Sequence, residues 1–546
     1  MEIQEQLQIA IDFAPRLKRF AAPDSSEQKS LHDSLNYFVS QLASDLALPV
    51  QPSLLFSSSD SEENDFSATI NGWQCRLPLP TKVPEQSGDR ELATLLAVGI
   101  FQNRELCLTR ALSERLFGKW LAHDQEAGAG PKLSLDEFHQ LLLGLIRGGF
   151  RIDRVKDIGA SNGSSVEDLL EGIVSGSSSL RLYLGKQQAS ISSFQVGGNQ
   201  DPNVAESILE LAQISQDGIF YELGTVLPSL SIEVDDRLEG NEFQVQINDL
   251  RQPPLRGLDQ DQILVNQTAE LLSIFQVSGE RSRNPVNGND CTLVRGAEAA
   301  EICRQQGLTT WGPAGFVILT LSREIRRHAG QLLTRDLVEF LIGQLGRIYP
   351  ALTKATLARF DLTKLTLILR GLIDEEISIR DLRTIFEALL AFDGAASMDL
   401  MKYIAFFPYT LNLSQRSVSA QGSALKAEDY SEYLRTSLKR YISHKYTRGQ
   451  SSLLVFLIDP EIEGRLNRIE TEPLSSNEQQ NLIAAVLSEV DNLPGSAQVP
   501  ALLTTTEIRA PLRSLIKHEF PSLAVLAYQE LSPELNIQPL ARISWV

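Results

Sequence analysis

The octapeptide NDFSATIN at residues 64–71 comes back as NEFQVQIN at residues 241–248, and it does not come back alone. LQIAIDFAPRLKRF (7–20) is matched by LRLYLGKQQASISSF (180–194), and DLALPVQPSLLF (45–56) by ELGTVLPSLSIEV (222–234). Further on, LTRALSERLFGKWLAHD (108–124) is loosely matched by LTLSREIRRHAGQLLTRDLVEFLIGQL (319–345). The order is kept and the offset is about 175 residues for the first three pairs, which is the signature of an internal duplication. Two unrelated domains built from common strand and helix patterns are the alternative reading. Either way the chain holds alternating, strand-like runs between helical ones, without strict strand–helix alternation, which argues for α+β domains in series.

A chain of 546 residues is too long for one core and should divide into several domains. Its 50 basic and 69 acidic side chains leave a net charge of −19. That field repels phosphate backbones, and no Lys/Arg-rich run offsets it, so nucleic acid is not expected as a partner. The longest apolar runs, LATLLAVGIF (92–101) and SLLVFLI (452–458), fall short of the ~20 residues that span a bilayer, so no direct membrane insertion is expected. Cys75, Cys107, Cys291 and Cys303 lie too far apart in sequence for a metal-ligand pair, and the histidines are scattered. Reduced thiols, no metal and no cofactor are the expectation.

The Ser/Gly-rich stretch GASNGSSVEDLLEGIVSGSSS (159–179) reads as a domain boundary. Its GASNG also fits the G-x-S-x-G nucleophile elbow, which would make Ser161 a serine-hydrolase nucleophile. The elbow needs a buried strand before it, whereas RVKDI is short and charged, and GSSVEDLL carries a capping box of its own at Ser164 and Glu167. A junction turn is therefore the preferred reading. No phosphate-binding loop and no dinucleotide fingerprint occurs. In DPEIEG (459–464) the acids are expected at a helix start after Pro460, where they complement the dipole.

ISIRDLRTIFEALL (377–390) poses a sharper question. Ser378 and Asp381 read as a capping box, and Ile379, Leu382, Ile385, Phe386, Leu389 and Leu390 make an apolar stripe. Arg383 and Glu387 stand four apart as a surface pair. Arg380 and Arg383 then fall near the first turn, where the macrodipole disfavours cations.

Five passages, in order, resemble the cytoplasmic domain of the type III secretion and flagellar export gate family, FHIPEP. They are GIFYELGTVLPSLSIEVDD (218–236), AAEICRQQGLTTWGPAGFVILTLSREIRRHAGQLLTRDLVEFL (299–341), LTLILRGLIDEEISIRDLRTIFEAL (365–389), LVFLIDPEIEGRL (454–466) and LLTTTEIRAPLRSLIKHEFPSLAVLAYQEL (502–531). The third is similar to the family string L-L-x-E-x-V-S-I-R-D-M-R-T-I-L-E-x-L. The resemblance covers about residues 180–546.

It implies a multidomain α+β fold. A ferredoxin-like domain (180–256 and 309–327) would be interrupted by a small inserted domain (257–308). A helical domain (328–405) and a C-terminal α/β domain (406–546) would follow. Residues 1–155, before the junction 156–179, would be a degenerate copy of the first domains. The family's membrane bundle has no counterpart in this sequence, so the chain is expected not to be the ion-coupled channel itself.

By resemblance, partner-binding residues would be Asn284, Asn287, Pro313, Phe316, Val317, Leu319 and Thr320. Departures fall on these same positions. Leu319 and Thr320 stand where the family often has Thr-His, and Asn284 and Asn287 replace the acid and the aromatic of D-P-x-F-G-L. For any single apolar residue among them, core packing is the bland alternative. Arg380, Asp381 and Arg383 would make subunit or domain contacts, with an intrachain ion pair as the competing reading. The implied function is non-enzymatic: a cytoplasmic scaffold, reaching the membrane through its partners. It would bind secretion-apparatus subunits or chaperone–cargo complexes and form a homo-oligomeric ring, nonameric in the family. A repurposed paralogue that assembles without secretion, and the Ser161 hydrolase, are the alternatives.

Overall fold

The computed structural model describes residues 5–22, 25–58, 66–75, 88–127, 133–160, 165–174, 176–191, 208–286, 290–392, 427–469, 471–491, 493, 500–517, 519–520 and 523–545. Ser161, Ser164 and Asn287 lie outside them. The chain divides into two compact units. One comprises residues 1–216, 227–265 and 293–334, the other 217–226, 266–292 and 335–546. The protein is a mixed α+β, multidomain chain.

Among the described residues, two sheets of four or more strands lie wholly within the first unit. In the first, β1 (Glu5–Phe13), β2 (Val50–Ser58), β3 (Phe66–Ile70) and β4 (Trp73–Gln74) lie in the order β2-β1-β3-β4. In the second, β5 (Leu180–Leu184), β6 (Leu230–Val234), β7 (Glu242–Ile247) and β8 (Leu250–Arg251) lie in the order β6-β5-β7-β8, and β9 (Leu255–Arg256) also pairs with β7. The first two strands of each sheet are parallel and are joined through a helix, Ser26–Asp45 or Ile208–Leu223. The central strand is antiparallel to the third.

Register agrees as well. Phe66 and Phe243 face Phe13 and Leu184, and Ile70 and Ile247 face Ile9 and Leu180. Each octapeptide ends in an asparagine with positive φ, 51° at Asn71 and 58° at Asn248, the conformation a tight hairpin turn requires. Each asparagine binds back to the central strand in the same way. The backbone N–H of Asn71 donates to the Gln8 carbonyl and its Oδ1 accepts from the Gln8 N–H. Asn248 does the same with Ser179.

Alternating burial along β1 follows its sequence: Leu7, Ile9, Ile11 and Phe13 point inward, and Gln6 and Gln8 outward. Helices Asp89–Gln102, Arg110–Ala127 and Leu135–Arg147 complete this domain, the last opened by a capping box of Ser134 and Glu137. The RVKDI segment is part of a 3₁₀ stretch, Ile152–Ala160, not a strand. At the start of the following helix Ser165 Oγ accepts the Asp168 N–H at 3.1 Å, while the expected cap residue Ser164 lies outside the described residues.

In the second unit, helices Arg335–Ile348, Pro350–Arg359, Leu362–Ile373, Leu382–Ala391, Ala427–Ser437 and Lys439–Thr447 precede a four-stranded sheet. That sheet, Ser452–Ile458, Ala501–Thr504, Val525–Ala527 and Asn536–Ile543, is parallel throughout. Ser452–Ile458, Ala501–Thr504 and Val525–Ala527 are near-continuous apolar runs, as expected where helices connect parallel strands, whereas Asn536–Ile543 is mostly exposed. Asp459 caps the helix Pro460–Leu466 as the DPEIEG pattern foretells.

Candidate functional site

Helix Pro313–Arg327, in the first unit, carries five of the predicted partner-binding residues, with Pro313 at its first position. Val317 and Thr320 are buried, and the Thr320 hydroxyl donates to the Phe316 carbonyl at 2.9 Å. Both belong to the core, and the Thr320 hydroxyl is satisfied by its own helix. Pro313, Phe316 and Leu319 are half-buried and recur every three residues, so they form one outward ridge.

The other end of this helix is polar and shielded. Glu324 is buried beside Arg323 at 2.7 Å, with Arg327 at 3.8 Å. Burial works to raise its carboxyl, but the pull of Arg323, Arg327 and His328 overrides it and holds the group below its ordinary range. Burial pushes the His328 imidazole down, against the opposing pull of Glu324. The charged side chains of this helix are thus gathered at its C-terminal end, and the Pro313 end carries none. Asn284 is in the second unit, where it is buried. Its Oδ1 accepts the Val286 N–H at 2.9 Å, which shapes a turn around Pro285.

The Ile377 segment, within the second unit, corrects the sequence reading and answers its question. Helix Leu362–Ile373 ends in a Schellman motif: the Ile377 N–H reaches the Leu372 carbonyl, the Glu376 N–H reaches Ile373, and Glu376 takes φ 57°. Ile377 and Ile379 are then buried in the connection, and the next helix begins only at Leu382. Asp381 is its N-cap, accepting the Thr384 N–H at 3.1 Å, whereas Ser378 accepts the Arg380 N–H.

Arg380 is therefore outside the helix. Its guanidinium donates to the Tyr221 carbonyl and stacks on the Tyr221 ring at 5.2 Å. That carbonyl is in the last turn of helix Ile208–Leu223, where the dipole favours a cation. Arg383 pairs with Glu387 at 2.8 Å as expected and lies over Tyr349 at 5.1 Å. Gly224, of the ELG turn, makes this junction possible. It has φ 80°, and a Cβ there would sit 2.4 Å from the Arg380 nitrogen.

A second feature of this unit is assembled from residues far apart in sequence. Arg509 is fully buried and forks onto Glu375, at 2.5 and 2.9 Å, and onto Glu432, at 2.8 Å through Nε. Arg435, also buried, forks onto Glu530 at 2.7 Å through both nitrogens and reaches Glu375 at 2.8 Å. Two guanidiniums thus serve three carboxylates. The network ties helices Leu362–Ile373 and Ala427–Ser437 to helix Thr506–Ile516 and the Tyr528–Glu530 turn.

All four cysteines are free and buried, with burial holding the Cys75 and Cys107 thiols up to about 12, so they are poor nucleophiles. Among the described residues no group of acids, cysteines or histidines is arranged to hold a metal ion, and no helix is long and apolar enough to cross a membrane.

The model of the FHIPEP family matches residues 179–405 and 416–536. The chain belongs to this family. Among curated FHIPEP-like relatives, low calcium response locus protein D of Yersinia pestis is 25% identical over 345 residues, 61% of this chain and 44% of that protein. Flagellar biosynthesis protein FlhA of Treponema pallidum is 26% identical over 343 residues, with coverage of 61% and 44%. The chain thus spans less than half the length of these relatives. The CdsV protein of Chlamydia pneumoniae, also solved as a complex with CdsO, superposes with a TM-score of 0.55 at 26% identity over 67% of this chain and 97% of that one. The FHIPEP match leaves residues 1–178 outside it.

Proposed function

We propose that this chain is a non-catalytic docking platform of a type III secretion or flagellar export apparatus. The carrying observation is the family match across residues 179–536 together with the fold shared with CdsV. Its place is cytoplasmic, against the membrane parts of the apparatus, and its partners are protein. CdsV is solved with CdsO bound, and a protein of that kind or a chaperone–cargo complex is the partner proposed here. The ridge of Pro313, Phe316 and Leu319 is the surface we assign to it, since an apolar ridge free of charge suits a partner helix. The inserted-domain, helical and C-terminal divisions of residues 257–308, 328–405 and 406–546 follow the family.

Residues 1–155 are, in this reading, a degenerate copy of the ferredoxin-like domain. The shared strand order, register and asparagine turns support that.

Homo-oligomerisation into a ring belongs to the same proposal. Arg383, 54% exposed, is placed to reach a neighbouring subunit, whereas Arg380 is engaged within the chain. Sedimentation velocity over a concentration series tests it. A species several times heavier than the 60.5 kDa chain should appear as concentration rises. A single 60.5 kDa boundary at the highest concentration would refute self-assembly.

A further inference from the structure

The turn between β7 and β8 is buried in the N-terminal domain, and both partners lie in the first unit. Asn248 Nδ2 donates to the Gly148 carbonyl at 2.9 Å, and the Asp249 N–H donates to the Gly149 carbonyl at 3.0 Å. The Asp249 carboxylate accepts a two-pronged bond from Arg154, at 2.7 and 2.9 Å, and a third from the Arg151 N–H at 3.1 Å. Leu250 is 1% exposed and joins the core of the N-terminal domain. Among the described residues it is the one member of that core from outside residues 7–174. Asp45 accepts the Arg251 N–H at 3.2 Å, and Arg90 forks onto Glu242 at 2.7 and 2.9 Å.

Each group of the turn finds a dedicated counterpart. Gly149 has φ 70°, and a Cβ there would meet the Leu250 Cβ at 3.3 Å, so the glycine admits the close approach. The homologous turn of the N-terminal sheet shows that turn geometry alone does not produce this. Asn71 Nδ2 donates to Leu106 within its own domain, and Trp73, at the position of Leu250, is 70% exposed.

We propose that the Gly148–Arg154 corner is a receptor for an Asn-Asp-Leu turn, and that the N-terminal domain is held on the rest of the chain by this recognition rather than by the peptide linkage. The receptor's occupant is the chain's own Asn248–Leu250 turn, read by a bidentate arginine, two backbone carbonyls and an apolar socket. Paired forks with a central buried leucine are the arrangement of a specific interface, with the charges fixing register and the apolar group supplying most of the attraction. By covering the turn, the N-terminal domain also withholds it from any other partner of like chemistry.

Splitting the chain tests this with every residue present. Residues 1–175 and 176–546 are co-expressed as separate polypeptides with a tag on the longer one. The two should co-purify in equal amounts, and Arg154→Asp or Leu250→Asp should cut recovery of the N-terminal half at least tenfold. Arg154→Asp combined with Asp249→Arg should recover binding above either single variant, which excludes misfolding as the cause of the losses. Halves that do not co-purify, single variants that bind undiminished, or a charge-swapped pair no better than its parents would overturn the proposal.

Discussion

Replacing Arg509 by alanine should destabilise the second unit by about 3–5 kcal/mol, the usual cost of removing one partner from a buried ion network. The loss of attraction is only part of this. Arg509 is fully buried, so its removal leaves the half-buried Glu432 without its guanidinium and takes from Glu375 one of the cations that hold it, with Arg435 still bonded. Urea unfolding read by hydrogen exchange in helices Ala427–Ser437 and Thr506–Ile516 would locate the loss, since a multidomain chain gives no single transition.

Glu432→Gln supplies the contrast. Burial holds the Glu432 carboxyl above its ordinary range. For Glu375, burial also acts to raise the carboxyl, but Arg435 and Arg509 override it and hold the group low. Glutamine at 432 still accepts from Arg509 while removing the carboxylate in excess, so the change should stay within about 1 kcal/mol. A carboxyl raised in the folded state gives most stability when protonated and progressively less as pH rises from its ordinary value near 4.5 through its folded value. The glutamine variant should lack that part of the slope.

Gly224→Ala should be nearly as damaging. An L-residue in the left-handed region costs roughly 1–2 kcal/mol, and forcing atoms into a packed site costs about 1–3 more. Here the new Cβ would lie 2.4 Å from the Arg380 nitrogen and 2.7 Å from its Cγ, and the backbone atom cannot rotate away. The Ile379 N–H to Leu223 carbonyl bond of 2.8 Å would open with it. A Gly343→Ala control, in a helix with nothing within 4 Å, should be neutral or gain about 0.5–1 kcal/mol. Thermal melts of the two variants side by side measure the difference.

Local elements were legible where the signal was local. Alternation gave β1, and the paired strand-like octapeptides fall on β3 and β7, because strand periodicity is written within a few residues, whereas the asparagine turns that end them emerge only in the structure. The string around Ile377 was legible as family but misread as a cap. Ser378 and Asp381 have capping-box spacing, yet the Schellman motif at Glu376 and the burial of Ile377 and Ile379 keep the chain out of the helix until Asp381. A non-glycine residue in the left-handed position hides such a stop signal.

The ridge was partly legible. Helical spacing places Pro313, Phe316 and Leu319 together, but only packing decides that Val317 and Thr320 turn inward. The Arg509 network left one trace, a charge beside the apolar stripe Ile508, Leu512 and Ile516. Its carboxylate partners are 77 and 134 residues away, and no local pattern names them. The Asn248–Leu250 turn and its receptor are likewise separated by 95 to 100 residues.

The most direct measurement of the docking-platform account is the secreted proteome of a strain lacking this gene, compared with the same strain carrying it in trans. A defined set of proteins should vanish from the medium and accumulate in the cell, returning with the intact gene but not with Leu319→Asp. An unchanged secreted proteome in the deletion strain would contradict the account.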